Sequence, residues 1–325
     1  MMKRREFLLA SAGGLVAAPF VKTSAFAASY PDQSVRWLVG YVPGGTTDIL
    51  ARLIGAYLSE KTGQQFVIEN KAGAGNNLAV EALLAGPTDG YNVLLVNPAN
   101  GINATLYKKL SFNFIRDVAP VGGIMRVPNV MVVNNDVPAK TVKEFIDYVK
   151  ANPGKVNMAS SGNGTSVHLS GELFMAMTGL KMTHVPYRGS NPALTDIMGG
   201  QCQVLFDNMP SSIELIRAGK IRALAVTTEK RASYFPDLPT LDETVKGYEA
   251  SAWFGMGVKT GTPPEIIAYL NKQIAEALAD PKIKARIADL GGASMGGTPA
   301  DFAKIIESET AKWKKVVEFA GASVE

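Results

Sequence analysis

Hydrophobic and polar positions follow two alternating periods along the chain. Short apolar runs, the first from Val35 to Tyr41, predict buried strands, and apolar residues spaced three or four apart, the first from Ile49 to Leu58, predict helices. Further strands are predicted at 66–68, 91–96, 130–133, 156–160, 182–186, 203–207, 221–227 and 253–258. Further helices are predicted at 78–85, 141–150, 167–177, 192–199, 211–218, from 263 onward, 282–290 and 299–319. This alternation predicts an α/β fold of mostly parallel sheets flanked by helices.

The first 27 residues have the pattern of an export signal. A basic cluster at residues 3–5 precedes an apolar run at 7–21, and the segment ends in Ala25-Phe26-Ala27, an A-x-A cleavage site. The pair Arg4-Arg5 is also typical of a twin-arginine signal. Because the run is shorter than the roughly 20 residues of a membrane-spanning helix, cleavage is favoured over anchoring. We predict a signal peptide over residues 1–27, cleaved after Ala27, and a periplasmic mature protein that is not embedded in the membrane.

Composition excludes several classes of function. Residues 1–27 carry four cationic and one anionic side chains, so the formal net charge falls from +4 for the whole chain to +1 for the remainder. A charge so close to neutral predicts no nucleic-acid partner. Cys202 is the only cysteine and cannot form an intramolecular disulfide. A single hydrophobic core stops growing at about 250–300 residues, so we predict two lobes in a monomer.

One strand-to-helix turn suits an anion. The turn 43–48 follows the first predicted strand, and its Gly44 and Gly45 let the backbone approach a ligand closely. Thr46, Thr47 or Asp48 can cap the helix that follows. The unpaired N–H groups of a helix's first turn carry about half a positive charge, which makes this turn a candidate carboxylate cradle.

Two further turns have the same character. In the turn 187–193, Asn191 is the expected N-cap and Pro192 the first helical residue. The third turn, 160–166, is rich in glycine and hydroxyl groups. Turns of this kind gather at the carboxyl edge of parallel strands, where open α/β folds bind ligands. Each turn alone is more often structural than functional, and composition leaves both the ligand and the receptor role open.

A set of short motifs in a fixed order adds a family resemblance. They are Gly-Gly-x-x-Asp at 44–48, Glu69-Asn70-Lys71-Ala72-Gly73-Ala74-Gly75, Asp89-Gly90-Tyr91, Ser160–His168, Tyr187-Arg188-Gly189-Ser190, Pro192-Ala193-Leu194-Thr195-Asp196 and Trp253-Phe254-Gly255. In these motifs the chain resembles the substrate-binding receptors of tripartite tricarboxylate transporters, also called the Bug family. The resemblance covers essentially the whole mature chain.

The resemblance implies a two-lobed, periplasmic-binding-protein-like fold of type II that closes on its ligand. Together with the break in the alternation near Pro236 and Pro239, the motif order predicts one lobe from residues 28–130 and 252–325 and the other from 131–251. The chain is expected to cross twice between the lobes.

The resemblance also implies where the ligand lies. The turns 43–48 and 187–193 would oppose each other as pincers and hold a carboxylate mainly through backbone amides and ordered water. Asp48 would orient its turn or a bridging water, and Asp207 and Asn208 could enter the cleft from the end of a strand. The candidate ligand-binding residues are Tyr41, Pro43, Gly44, Gly45, Thr46, Thr47, Asp48, Ser161, Thr165, Tyr187, Gly189, Ser190, Ala193 and Asp207.

The predicted function is capture of a mono-, di- or tricarboxylate and its delivery to membrane permease subunits, with no cofactor, no metal and no catalysis. A signalling receptor that presents the ligand to a membrane sensor is the alternative. An exported serine hydrolase is disfavoured, although Gly292-Ala293-Ser294-Met295-Gly296 matches G-x-S-x-G, because a helix is predicted before Ser294 and both His168 and His184 precede it. Two histidines sixteen positions apart match no metal motif.

Overall fold

The computed structural model describes residues 30–232 and 234–324. The predicted signal peptide, residues 1–27, and its cleavage site lie outside the described residues. Within the described ranges, no helix has both the length and the apolar character needed to cross a bilayer.

The first part of the described chain alternates strands and helices and ends in a long strand. Its elements are β1 (Val35–Val39), α1 (Thr46–Thr62), β2 (Phe66–Asn70), α2 (Asn77–Ala85), β3 (Asn92–Val96), α3 (Pro98–Leu106), α4 (Phe114–Asp117) and β4 (Val118–Val133). Strands β2 and β3 flank β1, and both run parallel to it. The predicted strands and helices are confirmed here, while α3, α4 and residues 118–129 of β4 go beyond what the sequence pattern predicts.

The middle part repeats the alternation. Its elements are α5 (Val142–Ala151), β5 (Asn157–Ser160), α6 (Ser166–Thr178), β6 (Thr183–Pro186), α7 (Ser190–Met198), β7 (Val204–Asn208), α8 (Met209–Arg217) and β8 (Arg222–Val226). Strand β5 lies between β6 and β7 and is parallel to both. The parallel order brings the starts of α6, α7 and α8 to one edge of the sheet, because each helix follows the carboxyl end of a strand.

The last part returns to the first sheet. Its elements are β9 (Ser251–Lys259), α9 (Pro264–Ala279), α10 (Pro281–Asp289), β10 (Ala293–Gly296) and α11 (Pro299–Ala320). Strand β9 lies between β3 and β4 and is antiparallel to both.

Strand β4 belongs to both halves of the sheet. Its residues 118–128 pair with β9, and its residues 129–133 pair with β7, so the strand order is β2-β1-β3-β9-β4-β7-β5-β6. Strands β8 and β10 also pair with β4, and both are antiparallel to it. The sheet is therefore mixed. Strand β4 runs through both halves and pairs antiparallel with β9 and β7, whereas the outer strands of each half pair in parallel.

Three apolar clusters fill the space between sheet and helices. One contains Leu38 and Phe302, a second contains Phe174 and Trp313, and a third contains Leu205. Complete burial of a side chain of this size contributes about 1.5–3 kcal/mol. Helix α11 supplies Phe302 to the first cluster and Trp313 to the second, so its apolar stripe packs in the core as the sequence predicts. The same helix thus contacts both halves of the sheet, and the division into lobes at 130/131 and 251/252 stays a prediction.

Candidate functional site

A small cavity lies where the beginnings of five helices meet. Its walls are formed by Tyr41, Gly45, Thr46, Thr47, Asn97, Pro98, Ser161, Thr165, Ser166, Ser190, Asn208 and Phe254. Most of these residues belong to the starts of α1, α3, α6 and α7 and to the N-cap of α8, whereas Tyr41 follows β1, Ser161 follows β5 and Phe254 lies in β9. The cavity volume is about 20 Å³, which is room for a single water molecule.

The electrostatic character of this cavity comes from backbone and neutral side chains. None of the described residues that line it is charged at neutral pH. Burial raises the pKa of Tyr41, so its phenol is a neutral hydrogen-bond donor, and it donates to Asn97 Oδ1 at 3.3 Å. The helix starts direct N–H groups and the positive ends of their dipoles towards the cavity, an arrangement suited to an anion.

The first turn, 43–48, is held by the carboxylate of Asp48. Gly45 is the N-cap of α1 and makes no side-chain cap, while the Asp48 carboxylate accepts hydrogen bonds from Gly44 N at 3.1 Å, Arg52 Nε at 2.9 Å and Asn70 Nδ2 at 3.0 Å. Burial acts to raise the pKa of Asp48, but the hydrogen bonds from Arg52, Gly44 and Asn70 outweigh it and the pKa lies below its ordinary value. Asp48 therefore fixes the shape of the turn and does not itself line the cavity.

The second turn, 187–193, is held by the carboxylate of Asp207. The N-cap of α7 is Gly189, so the predictions of Asn191 as N-cap and Pro192 as first helical residue are wrong by two positions. The earlier start is tolerated because the first four N–H groups of a helix have no intrahelical partner, so Pro192 costs no hydrogen bond. Ser190 Oγ donates to Asp207 Oδ1 at 2.6 Å.

Asp207 is fully buried and has no cationic partner among the hydrogen bonds of the described residues. Its second oxygen accepts hydrogen bonds from Ser211 Oγ at 2.6 Å and Ser212 Oγ at 2.7 Å. Burial raises the pKa of Asp207, and the three hydroxyl donors offset this only in part. Asp207 thus orients Ser190 and Ser211 and does not itself line the cavity.

The first turn and the preceding Val42 contact the second turn and the start of α8. Val42 N donates to Arg188 O at 3.1 Å, and Thr46 Oγ1 lies 3.2 Å from Ser211 Oγ. A Cβ atom on Gly189 would lie 2.8 Å from Val42 Cγ2, so the backbones approach this closely only because residue 189 is glycine.

The structure brings half of the predicted site residues to the cavity. Tyr41, Gly45, Thr46, Thr47, Ser161, Thr165 and Ser190 line it. Gly44 and Gly189 lie in the turns themselves, Pro43 is exposed, Ala193 is buried in an apolar cluster, and Asp48 and Asp207 brace the turns. Tyr187 lines a neighbouring cavity of about 410 Å³, and its hydroxyl donates to Asp196.

Several cavity residues go beyond the sequence prediction. Asn97, Pro98, Ser166 and Phe254 all contribute to its walls, and so does Asn208, which the sequence only suggests. The signal for Asn97 is present in the sequence, since Asn97-Pro98 after a predicted strand has the same N-cap and proline pattern as Asn191-Pro192.

The two histidines lie together, which their spacing does not predict. The His168 and His184 rings stack with centroids 4.0 Å apart and planes 15° from parallel, and Glu172 lies 3.3 Å from His168 Nε2. The possible ligand atoms of these three residues lie within 4.8 Å of one another. Nearly parallel rings do not direct their nitrogen lone pairs to one point, and a His184 ring nitrogen already bonds Ser160 Oγ at 2.6 Å, so the geometry is that of a packed pair. Burial, followed by the nearby His168, lowers the pKa of His184 to about 3.

Ser294 does not form a nucleophile elbow. It lies within β10, an exposed strand that follows α10, whereas the elbow places its serine at a strand-to-helix turn. The predicted helix before Ser294 is confirmed.

Comparison with known proteins identifies the family. A family described as "Tripartite tricarboxylate transporter family receptor" matches residues 50–322. The chain belongs to this receptor family. Protein BugT of Bordetella pertussis (strain Tohama I) is 34% identical to it over 322 residues, which cover 98% of each chain.

Solved structures of the receptor family have the same fold. An R. palustris protein solved with adipate is 40% identical, with a TM-score of 0.89, and the match covers 91% of this chain and 100% of the other. MatC from Rhodopseudomonas palustris, solved with bound malate, is 30% identical, with a TM-score of 0.85 over 89% of this chain and 100% of MatC. The predicted α/β, periplasmic-binding-protein-like fold class is confirmed.

Proposed function

We propose that this chain is a periplasmic receptor that captures a small dicarboxylate in the cavity between the turns 43–48 and 187–193. One observation carries the proposal: five helix starts and a set of neutral donors surround a cavity without a charged side chain. Each helix start contributes about half a positive charge, so together they can balance an anion without an ion pair. The dicarboxylate class is favoured because the R. palustris protein and MatC were solved with adipate and malate.

Ligand entry then requires the two turns to separate. Ligand pockets usually measure about 300–1,000 Å³, and the cavity of about 20 Å³ is far smaller. We propose that residues 131–251 move as one lobe against the rest of the chain. The hinge lies where the paired strands β4 and β9 separate, at Pro128 of β4 and Ser251 of β9. The contacts Val42 to Arg188 and Thr46 to Ser211 would break on opening and form again around the ligand.

The receptor is proposed to deliver its ligand to membrane permease subunits and to have no catalytic activity. Family membership and the signal-like segment 1–27 support export and transport. Asp48 and Asp207, the buried carboxylates beside the cavity, are occupied by hydrogen-bond donors and serve neither as general bases nor as nucleophiles.

Isothermal titration and thermal unfolding with succinate, malate, glutarate, adipate and citrate test the proposal. A dicarboxylate at a hundredfold excess over its Kd should stabilise the protein by about 2.7 kcal/mol. The variant Thr47→Asp places an anion in the cavity at the second position of α1, where acidic residues suit the helix, and should weaken dicarboxylate binding at least about 100-fold.

Thr141→Asp is the matched control, because Thr141 is the exposed N-cap of α5 and an aspartate there also suits its helix. Its affinity should stay within about twofold of the original protein. Absence of binding for all five acids, or equal losses in the two variants, would contradict the proposal.

A further inference from the structure

Asn97 occupies a position that gives its side-chain amide a fixed orientation. It is the N-cap of α3, and its Oδ1 accepts hydrogen bonds from Ala99 N at 3.1 Å and from the Tyr41 hydroxyl at 3.3 Å. Both partners are donors, so the oxygen must face them and the Nδ2 group must face the other way.

The Nδ2 group of Asn97 is a buried donor without a partner. Asn97 is 4% exposed, and within the described ranges its Nδ2 makes no hydrogen bond. Other buried asparagines of this region, including Asn76, Asn100 and Asn103, also have an unpaired polar atom, but among these four Asn97 alone lines the cavity. An unpaired buried donor is costly, so its persistence next to a binding cavity indicates a hydrogen bond that forms with a ligand.

Asn97 lies to one side of the first turn. Strands β1 and β3 are adjacent and parallel, with Leu38 opposite Leu94, and they lead into the 43–48 turn and into Asn97. Neighbouring strands are about 4.8 Å apart. Asn97, Gly45 and Ser190 line the same cavity, so an acid whose first carboxylate lies between the Gly45 and Ser190 backbones has room to direct its other end towards Asn97.

We propose that Asn97 is the residue that selects for a second carboxylate, by donating from Nδ2 to one of its oxygens. This inference rests on the proposed function. The same donor offers nothing to an ammonium group, and neither Asp48 nor Asp207 compensates, because both carboxylates are already engaged by several donors. The site is thus built for dicarboxylates and against ω-amino acids of the same length.

The test compares three ligands of one chain length, adipate, hexanoate and 6-aminohexanoate, by titration calorimetry. If succinate binds more tightly than adipate to the original protein, the trio becomes succinate, butyrate and 4-aminobutyrate. Asn97→Ser keeps an N-cap acceptor for α3 and removes the amide donor without adding charge. We expect it to weaken the dicarboxylate about 10- to 100-fold and the monocarboxylate less than threefold.

Asn97→Asp is the sharper variant, since aspartate keeps the shape and both acceptor contacts of Oδ1 and replaces only the donor. The preference for the dicarboxylate over the ω-amino acid should fall by at least about 100-fold, because a carboxylate repels an anion and attracts an ammonium group. Asn103→Ser is the matched control, because Asn103 lies further along α3, hydrogen-bonds Gly75 and Asn77 rather than Asn97, and does not line the cavity.

The ratio of dicarboxylate to monocarboxylate affinity decides the outcome. Collapse of this ratio in Asn97→Ser, while the ratio of Asn103→Ser stays within about twofold of that of the original protein, supports the assignment. Equal weakening of both ligands in Asn97→Ser means that Asn97 only shapes α3, and this overturns it. If the unchanged protein binds none of these acids, the receptor proposal itself fails, a result distinct from either.

Discussion

The two turns that face each other across the cavity are both held by a buried aspartate, but in opposite ways. Asp48 is paired with the guanidinium of Arg52 and has a lowered pKa, whereas Asp207 is bonded to three serine hydroxyls and has a raised pKa. The first turn is thus held by the Asp48 carboxylate, whose negative charge is balanced by Arg52. The second turn depends on a carboxylate whose burial cost is only partly offset, and two of its donors, Ser190 and Ser211, face the first turn. We therefore expect the proposed closure to depend more on the second turn than on the first.

The largest expected effect comes from Gly189, which lets the second turn approach the first. Gly189→Ala should weaken dicarboxylate binding about 100-fold, since its Cβ would lie 2.8 Å from Val42 Cγ2 in the closed form. Gly45→Ala on the first turn should cost less than about threefold, because the nearest atom to its Cβ would be Ser190 N at 3.7 Å. Titration calorimetry measures both.

A second substitution checks the cause of the Gly189→Ala effect. Val42→Ala removes the clashing methyl group, so the double variant should recover the part of the lost affinity that the clash causes, while the strain of alanine at the φ of 158° of residue 189 remains. Failure of this rescue would show that the glycine serves the conformation of its own turn rather than the approach of the two turns.

The next effect is that of Asp207→Ala. Three serine hydroxyls lose their acceptor, and Ser190 and Ser211 lose their orientation at the cavity. We expect affinity to fall about 10- to 30-fold and the free energy of unfolding to fall by about 1–3 kcal/mol. Denaturant unfolding and calorimetry on the same samples measure the two losses. Unchanged affinity together with a lower stability would show that Asp207 stabilises the fold without contributing to ligand binding.

The sequence predicts most of the fold because strand and helix periods alternate clearly. Strand β4 is the exception, since Pro120, Gly122, Gly123 and Pro128 interrupt its apolar pattern and resemble breakers. In the structure the pairing of β4 with β9 shifts register between Pro120 and Gly122 and between Gly123 and Met125, so bulges accommodate Pro120, Gly122 and Gly123 within one continuous strand, and Pro128 pairs with Ser251 at the end of the ladder.

The sequence predicts only the part of the site that is formed by single turns. The three glycine-containing turns, 43–48, 160–166 and 187–193, are local signals, and all three contribute residues to the cavity. The role of Asn97 depends on β3 lying next to β1, and the stacking of His168 on His184 depends on β5 pairing with β6, with Met158 opposite His184. Contacts between residues that are this far apart in the sequence cannot be predicted from the spacing of residues along the chain.

The dependence of stability on pH should separate the two aspartates by sign. Asp48 has a lowered pKa in the folded protein, so its contribution is present above the unfolded pKa of about 3.9 and is lost as the pH falls through the lower folded value. Asp207 has a raised pKa, so the folded state keeps its proton longer than the unfolded state, and stability falls as the pH rises from about 3.9 towards the folded value.

Denaturant unfolding of the original protein, Asp48→Asn and Asp207→Asn across pH 3–8 measures these contributions. The difference in unfolding free energy between the original protein and Asp48→Asn should grow with pH at the acidic end. The difference between the original protein and Asp207→Asn should change in the opposite direction at higher pH. Each should change by at most about 1.4 kcal/mol per pH unit. Slopes of the same sign would remove the contrast between the two turns.

The smallest expected effect is that of Arg52→Gln on the first turn. Arg52 pairs with Asp48 from the next turn of α1. The Asp48 side chain is buried but that of Arg52 is 54% exposed, so solvent and salt screen the cation, and we expect the pair to be worth about 1 kcal/mol. Asp48 keeps its bonds from Gly44 N and Asn70 Nδ2, so the turn should hold its shape and affinity should change less than about twofold. Calorimetry in low and high salt provides the measurement, with any small loss disappearing as salt screens the pair. A loss above about tenfold would mean that the charge of Arg52, rather than the backbone of α1, attracts the ligand, and the first turn would then depend on a cation that the second turn lacks.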